Sequence, residues 1–308
     1  MNFKAIKISK NNIYLKEKAK INIKLFADIH FCSSFDSKKL ELINKVLNDK
    51  KTDYICIPGD IIDSTTFLKN NNKKKEELLN WFKYLGKNYK TFISLGNHDY
   101  SKRECKNWYN DDNNDFWQEV AKISGINLIT NYTSYEDDKI IIRALDPTCK
   151  YYSDNFKKED SNILKEKLLL QQKYLKKLNP NKVKVLLIHS PIHMTNKEIL
   201  PLIKDYDLIL SGHMHNGVVP PILDGIIKGN KGLIAPNKTL FPDNSRGIKE
   251  IDIDNKKVYL IITGGITKIQ ECASKLLRPF NHLYPMSIND IMINYTYSNK
   301  NTYKYQFF

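Results

Sequence analysis

Arginine is nearly absent from the basic half of this chain: only Arg103, Arg143, Arg246 and Arg278 stand among its 49 basic residues, the other 45 being lysine, in a chain of net charge +15. Recognition of phosphates and bases recruits the bidentate guanidinium fork. A lysine surplus accompanied by abundant Asn and Ile accords instead with an AT-rich coding bias, and argues against a surface selected for nucleic acid. The charge still concentrates phosphorylated substrates near the protein at low salt. No apolar run approaches the roughly 20 residues that a membrane-spanning helix requires. The segment from Met1 to Lys20 is basic without the apolar stretch of a secretory signal, so the expected location is the cytoplasm. Paired cysteines are missing too. Cys32, Cys56, Cys105, Cys149 and Cys272 are odd in number and scattered, with no CxxC spacing, which excludes a zinc ribbon and argues against a disulfide framework. They read as reduced thiols, with Cys32 a small inert residue despite its place two positions after His30. There is no internal repeat.

What is present is globular. At 308 residues, with 41% hydrophobic and 27% charged residues, the chain is long enough to bury a full core, and it reads as one domain. The first two-thirds alternate short apolar runs with amphipathic stretches, the pattern of βαβ units. A strand is predicted from Ile21 to Ala27, followed by a helix from Ser37 to Leu47 with Leu40, Ile43 and Leu47 at helical spacing. Tyr54 to Ile57 is the next strand, Lys74 to Leu85 the next helix, and Thr91 to Leu95 the third strand. Further along, Ile140 to Leu145, Lys182 to Ile188 and Asp207 to Leu210 read as strands, and Ser161 to Leu178 as the longest helix. Residues 217 to 244 read as a loop-rich excursion. Gly247 to Ile253 and Lys256 to Thr263 form a hairpin around Asp254-Asn255. Ile291 to Tyr297 and Tyr303 to Phe308 read as a second, terminal hairpin.

Five short segments follow or adjoin these runs: Asp28-Ile29-His30, Gly59-Asp60-Ile61-Ile62-Asp63, Gly96-Asn97-His98-Asp99, His189-Ser190-Pro191 and Gly212-His213-Met214-His215. They contain five of the seven histidines. Ligand loops of α/β sheets lie at strand ends, and the 32 residues from Asp28 to Asp60 and 37 from Asp60 to Asn97 each suit one strand, one helix and one strand. The ligands therefore line up along one sheet edge. A carboxylate between neutral oxygen and nitrogen donors suits borderline divalent metals such as Mn, Fe and Zn. Two such ions make a nucleophile of water and clamp a transferring phosphoryl group. Gly59, Gly96 and Gly212 each precede a ligand, where the turn needs positive φ or close approach of the chain.

Taken together, the set DIH, GDIID, GNHD, HSP and GHMH resembles the calcineurin-like metallophosphoesterase superfamily over about residues 22 to 265. The resemblance implies an α/β fold, a sandwich of two mixed β-sheets flanked by helices in a single domain, with a core from 21 to 265 and a C-terminal hairpin extension from 266 to 308. It implies that Asp28, His30 and His215 hold one divalent ion, that Asn97, His189 and His213 hold the other, and that Asp60 bridges them. His98 would sit over the phosphoryl group and assist the leaving oxygen, with Asp63 orienting that imidazole. Asp99 is expected to support the site from behind or to cap a turn. The implied reaction is hydrolysis of a phosphomonoester or phosphodiester by a metal-bridging hydroxide.

Within the superfamily the stretch from Gly212 onward is similar to a bacterial branch of small phosphoesterases, some of them membrane-associated. An N-terminal anchor typical of that branch is not seen here, nor are the appended domains of a DNA double-strand nuclease. A small phosphorylated substrate is therefore expected. The alternatives are a nuclease acting on DNA or RNA, which the basic charge favours, and an inactive scaffold that kept the fold. His193, His282, Tyr151 and Tyr152 are assigned surface or structural roles.

Overall fold

The central strands of the described chain are buried on both faces, so they read as continuous apolar runs instead of alternating ones. The computed structural model describes residues 6–15, 18–48, 51–63, 67–68, 70–99, 114–147, 158–175, 181–191, 197–227, 229–236, 238–269, 281, 283–294 and 302–307. Its strands are β1 (Ile6–Tyr14), β2 (Ile21–Leu25), β3 (Tyr54–Pro58), β4 (Lys90–Ser94), β5 (Ile126–Leu128), β6 (Ser134–Glu136), β7 (Ile140–Ala144), β8 (Val183–Leu187), β9 (Leu208–Ser211), β10 (Gly247–Ile253), β11 (Lys256–Ile262), β12 (Met286–Asn294) and β13 (Thr302–Phe307). The helices are α1 (Lys38–Asn48), α2 (Asn72–Asn88), α3 (Asn114–Ala121), α4 (Lys158–Leu175) and the single-turn α5 (Leu200–Ile203). No helix among the described residues is long and apolar enough to cross a membrane.

Two mixed sheets result, one in the order β13-β1-β12-β2-β3-β4-β5 and the other β10-β11-β9-β8-β7-β6. They pack face to face. In β3, Tyr54 and Cys56 point into the layer between the sheets with Leu25, Phe92, Ile142, Val185 and Leu210, whereas Ile55 and Ile57 point outward onto α1 and α2 with Ile43, Leu78 and Phe82. On the other side, Leu186, Ile209 and Leu260 pack beneath Leu164 and Leu168 of α4 and Ile203 of α5. Helix α2 is started by Asn71, whose side chain accepts from the Lys74 N–H at 3.1 Å. The expected α/β sandwich with helices outside is therefore the fold, and the helices at residues 37 to 47 and 74 to 85 form with boundaries moved by a few residues.

The ends of the chain differ from expectation. In the described parts of the expected terminal hairpin, β12 and β13 do not pair with each other, because β1 lies between them, parallel to the first and antiparallel to the second. Strand β12 also pairs antiparallel with β2. Seven of its nine residues are buried, which calls for a neighbour on each side, and β1 fills one of those places. The segment 286–294 is thus an interior strand of the first sheet and not an extension beyond residue 266. Strand β1 itself escaped notice because IKISKNNIY carries Lys, Asn and Ser among its apolar positions.

Polar residues knit this region. Lys24 of β2, 1% exposed, pairs with Asp290 of β12 at 2.8 Å, and Asn22 donates to the same carboxylate at 2.9 Å. Removing one partner of a buried pair leaves a charge without compensation. Asp290→Ala should therefore destabilise the protein by roughly 3 kcal/mol, lowering the melting temperature by about 5 °C for a chain of this size. A variant melting with the wild type would show that β12 is not an integral strand.

At the opposite ends of the strands from the five segments, Asp137 clasps the two sheets. Its carboxylate accepts from the Tyr54 hydroxyl at 2.9 Å, the Tyr135 hydroxyl at 3.0 Å and Lys90 Nζ at 3.2 Å, and from the backbone N–H groups of Lys139 and Ile140. Burial alone would raise this carboxyl, but the Lys139 N–H, the Tyr54 hydroxyl, the Ile140 N–H and Lys90 outweigh it and hold it at about 2. A depressed folded-state value means that the stabilisation is complete above the ordinary carboxyl range and is lost as pH falls from about 4 toward about 2. After allowance for solvent screening the contribution is about 1 kcal/mol. Urea titrations of wild type and Asp137→Asn should differ by that amount at pH 6 and converge near pH 2; a constant difference would contradict the assignment.

Candidate metal centre

Each of the five segments begins where a strand ends: β2 leads to Asp28 and His30, β3 to Asp60, β4 to Asn97 and His98, β8 to His189, and β9 to His213 and His215. Since β2, β3 and β4 run parallel to one another, as do β8 and β9, their C-terminal ends share one edge. The backbone there is strained. Asp28, His30, Asp60, His213 and His215 all have φ between 46° and 69°, the left-handed region that costs non-glycine residues of order 1 kcal/mol or more each. Strain concentrated in this way marks a functional site, and nothing in the residue types foretold it.

The side chains converge. Ligand atoms of Asp28, His30 and His215 lie within 4.8 Å of one another, and so do those of His30, Asp60 and His98, and of Asp60, His189 and His213. His189 Nε2 is 3.0 Å from Asp60 Oδ2, His30 Nε2 is 3.7 Å from the same oxygen, and His215 Nε2 is 3.9 Å from Asp28 Oδ1. Two donors bound at about 2.1 Å to one ion sit roughly 3 to 4 Å apart, so these separations fit metal coordination. His30 is fully buried with no hydrogen-bond partner on either ring nitrogen, and Asn97 Oδ1 is buried in the same condition. Buried polar atoms without partners are costly, and a divalent ion answers that cost. The donor set thus fits a pair of such ions.

Orientation of the imidazoles comes from backbone carbonyls. His189 Nδ1 lies 2.7 Å from the Pro58 carbonyl and His215 Nδ1 2.7 Å from that of Thr267, which turns each Nε2 toward the carboxylates. His98 Nδ1 is 2.9 Å from the Asp63 carbonyl and 3.8 Å from its carboxylate. Asp63 therefore meets this ring chiefly through its main chain. Its carboxylate is 3.5 Å from His30 Nδ1. The His98 N–H donates to Asp60 Oδ1 at 2.8 Å.

Asp99 staples two of the loops together, accepting from the N–H groups of Ile61 and Ile62 at 2.9 and 3.1 Å and of Gly96 at 2.8 Å. The two glycines make that approach possible. Gly59 has φ +85°, and a Cβ on Gly96 would stand 2.4 Å from Asp60 Oδ1 and 2.6 Å from its backbone nitrogen.

The electrostatics follow from burial beside opposite charges. Burial opposes the ionised form of Asp60, yet His189, His98 and His30 hold it well below the ordinary range. Burial would lower His189, but the Asp60 carboxylate lifts it to about 9. Burial pushes His215 down to about 4 and, reinforced by His189, takes His213 well below its ordinary value. Asp99 is pushed up to about 7 by burial and the Asp60 charge. The cluster has one deeply stabilised carboxylate and imidazoles of two kinds: His213 and His215 are neutral at neutral pH, whereas His189 would have to release its proton to ligate a metal.

All nine site residues expected from the sequence lie at this edge: Asp28, His30, Asp60, Asp63, Asn97, His98, His189, His213 and His215. Asp99 supports the site from behind, as expected, by accepting from backbone N–H groups, whereas the Pro58 and Thr267 carbonyls were not foreseen, since backbone carbonyls carry no residue-type signal. Tyr151, Tyr152, His193 and His282 lie outside the described residues. Cys32 is disulfide-bonded, which corrects its reading as a reduced thiol. Spacing along the chain says nothing about a bridge made by tertiary proximity. Cys56 is a buried free thiol.

A sandwich of this architecture with metal-type donors at one strand edge has the make-up of a metalloprotein, and sequence comparison names the family. The profile of the calcineurin-like phosphoesterases matches residues 21–217. The chain belongs to that family. It is 27% identical over 218 residues to an uncharacterized metallophosphoesterase of Helicobacter pylori, covering 70% of this chain and 50% of the relative. It is also 26% identical over 209 residues to a Bos taurus transmembrane protein with a metallophosphoesterase domain, covering 66% of this chain and 42% of the relative. The chain spans about half the length or less of these curated relatives. Among solved structures, a dimetal phosphatase from Danio rerio superposes with a TM-score of 0.45 at 10% identity, over 80% of this chain and 87% of that one.

Proposed function

We propose that this chain is a two-metal phosphoester hydrolase acting on a small phosphorylated substrate, a monoester or a diester. The observation that carries the reading is the set of three donor clusters joined through His30 and Asp60. Asp28, His30 and His215 would hold one ion, Asn97, His189 and His213 the second, and Asp60 would lie between them. Mn, Fe and Zn suit this nitrogen and oxygen set. When bound, such a pair supplies Lewis acidity that makes water nucleophilic at neutral pH and offsets charge on phosphoryl oxygens.

The chain's own residues do the rest. Asp60 and Asp28 bring negative charge to the floor of the site, and the carbonyls of Pro58 and Thr267 fix the rings of His189 and His215. His98 has Nδ1 directed at the Asp63 carbonyl, and its Nε2 would face the substrate. That nitrogen donates a hydrogen bond to a phosphoryl oxygen or a proton to the leaving oxygen.

The net charge of +15 motivates a second reading, a nuclease. A nucleic-acid substrate should lose affinity steeply between low and physiological salt, whereas a small ester should respond much less. The deciding assay strips the protein and reloads it with Mn, Fe, Zn or Mg. Turnover is then measured on aryl mono- and diesters, nucleotides, single-stranded DNA and lipid pyrophosphates. Hydrolysis of the small esters is expected; turnover confined to DNA would favour the nuclease, and none with any metal would contradict both readings.

A further inference from the structure

Beside the metal centre, the same sheet edge carries a second polar cavity of about 260 Å³ that the chemistry above does not use. Its floor comes from β1 and β12, where Lys7 pairs with Ser287 and Ser9 with Asn289 in the strand register. The same Asn289 pairs with Leu25, three residues before Asp28. A further wall is the end of β11, where Ile262 lies opposite Ser211, two residues before His213. Asn216, which adjoins His215, and Gly264 also line it. The neighbour of Gly264 touches the metal centre directly, since a Cβ on Gly265 would stand 2.9 Å from that of Asp28. Asp224, Gly225, Ile227 and Gly229 complete the lining.

The lining is cationic. Lys7 and Arg246 both point at one carboxylate, Asp224, with Lys7 Nζ on Oδ2 and Arg246 Nη1 on Oδ1. Both oxygens of that carboxylate are thus engaged, one by each cation. Behind the Gly264 wall, the buried Lys268 Nζ donates to the Gly265 carbonyl at 2.6 Å and to Ser287 Oγ at 3.0 Å. A hydroxyl that accepts from an amine N–H keeps its own proton to donate, so Ser287 is oriented as a donor by Lys268. Burial and the neighbouring Arg246 charge push Lys7 down to about 8, and burial pushes Lys268 down to about 7. Crowded cations of this kind gain from an added negative charge.

We infer that this cavity is a binding subsite for a tetrahedral oxyanion, the second phosphate group of a substrate whose first phosphoester is cleaved at the metal centre. Donors of three types, ammonium, guanidinium and hydroxyl, stand on strands β1 and β12 and at the start of β10. Such a distribution suits an anion with oxygens in several directions better than a planar carboxylate, which takes a fork from one side. The substrate class is then a compound bearing two phosphate groups. This step rests on the phosphoesterase reading for its catalytic part only, since binding at the cavity needs no metal.

The test therefore has a binding arm and a kinetic arm. Inorganic phosphate is titrated calorimetrically into the full chain kept metal-free with a chelator. Wild type should bind one phosphate, Lys7→Met should weaken it at least tenfold, and Ser9→Leu, which fills the cavity without altering charge, should do the same. His189→Ala at the metal centre should leave it unchanged. Absence of binding in the wild type, unchanged affinity in both cavity variants, or loss in His189→Ala overturns the inference. If Lys7→Met only loosens the fold, as a mere tether for the 224–229 loop would, Ser9→Leu decides. In the metal-loaded protein, Ser9→Leu should reduce kcat/KM at least tenfold on a substrate with two phosphates and leave an aryl monophosphate unchanged. Equal effects on both would contradict a second-phosphate site and leave free phosphate as the occupant. Intact phosphate binding with no turnover on either substrate would instead count against the phosphoesterase reading.

Discussion

Asp60→Asn is expected to remove metal and turnover together while leaving the fold intact. The carboxylate is 1% exposed and is shared by two of the three donor clusters, so no other side chain can take its place between the ions. The amide is nearly isosteric and retains an oxygen for the His98 N–H, which now donates to Asp60 Oδ1 at 2.8 Å. What it lacks is the charge. Three imidazoles, those of His189, His98 and His30, stabilise that charge in the free protein, and two divalent ions would depend on it far more. A fall in kcat/KM of at least about 10³-fold, roughly 4 kcal/mol in barrier, is expected, with metal content by elemental analysis dropping in parallel. The metal-free variant should still unfold in one cooperative transition, at a temperature lowered by loss of the buried Asp60–His189 pair. Wild-type metal content with normal turnover in this variant would contradict the assignment.

His98→Asn should separate the two properties that Asp60→Asn removes together. The ring is held by the Asp63 carbonyl and stacks edge-on against His30 with centroids 4.7 Å apart, so it borders the cluster. A group that donates only in the transition state lowers kcat with little change in KM when removed. The expected loss is about 10³-fold, within the range for general acid or electrostatic assistance, with metal content unchanged. Because a ligand atom of His98 also lies within 4.8 Å of those of His30 and Asp60, the opposite outcome has a definite meaning. If metal is lost with His98, the ring is a ligand and not a donor to the substrate.

Much of this was legible before any coordinates, for a physical reason. In β3, β4, β8 and β9 nearly every residue is buried, so the runs stand out as apolar blocks, and in such sheets the polar residues just after a block are where ligands gather. Asp28, Asp60, Asn97, His189 and His213 could be picked out on that basis. Strand β1 could not, since its Lys7, Lys10, Asn11 and Asn12 obscure the pattern, and Asn11 is buried by pairing with Asn289 across strands. The terminal hairpin was misread because nearness in sequence suggests pairing unless a distant strand intervenes. Backbone features were invisible for another reason. The left-handed conformations at Asp28, His30 and Asp60 are set by the tertiary arrangement of the loops, and the carbonyls that aim His189 and His215 belong to residues with no chemical signature.

The central claim is that two ions held by these seven side chains perform phosphoester hydrolysis. The most direct measurement is metal stoichiometry against turnover on an aryl phosphate, as stripped protein is reloaded stepwise with Mn or Zn. The account predicts no turnover in the stripped chain and a rate that tracks occupancy up to two ions per chain. Turnover by the metal-free chain, or full occupancy without turnover on any phosphoester, would contradict it.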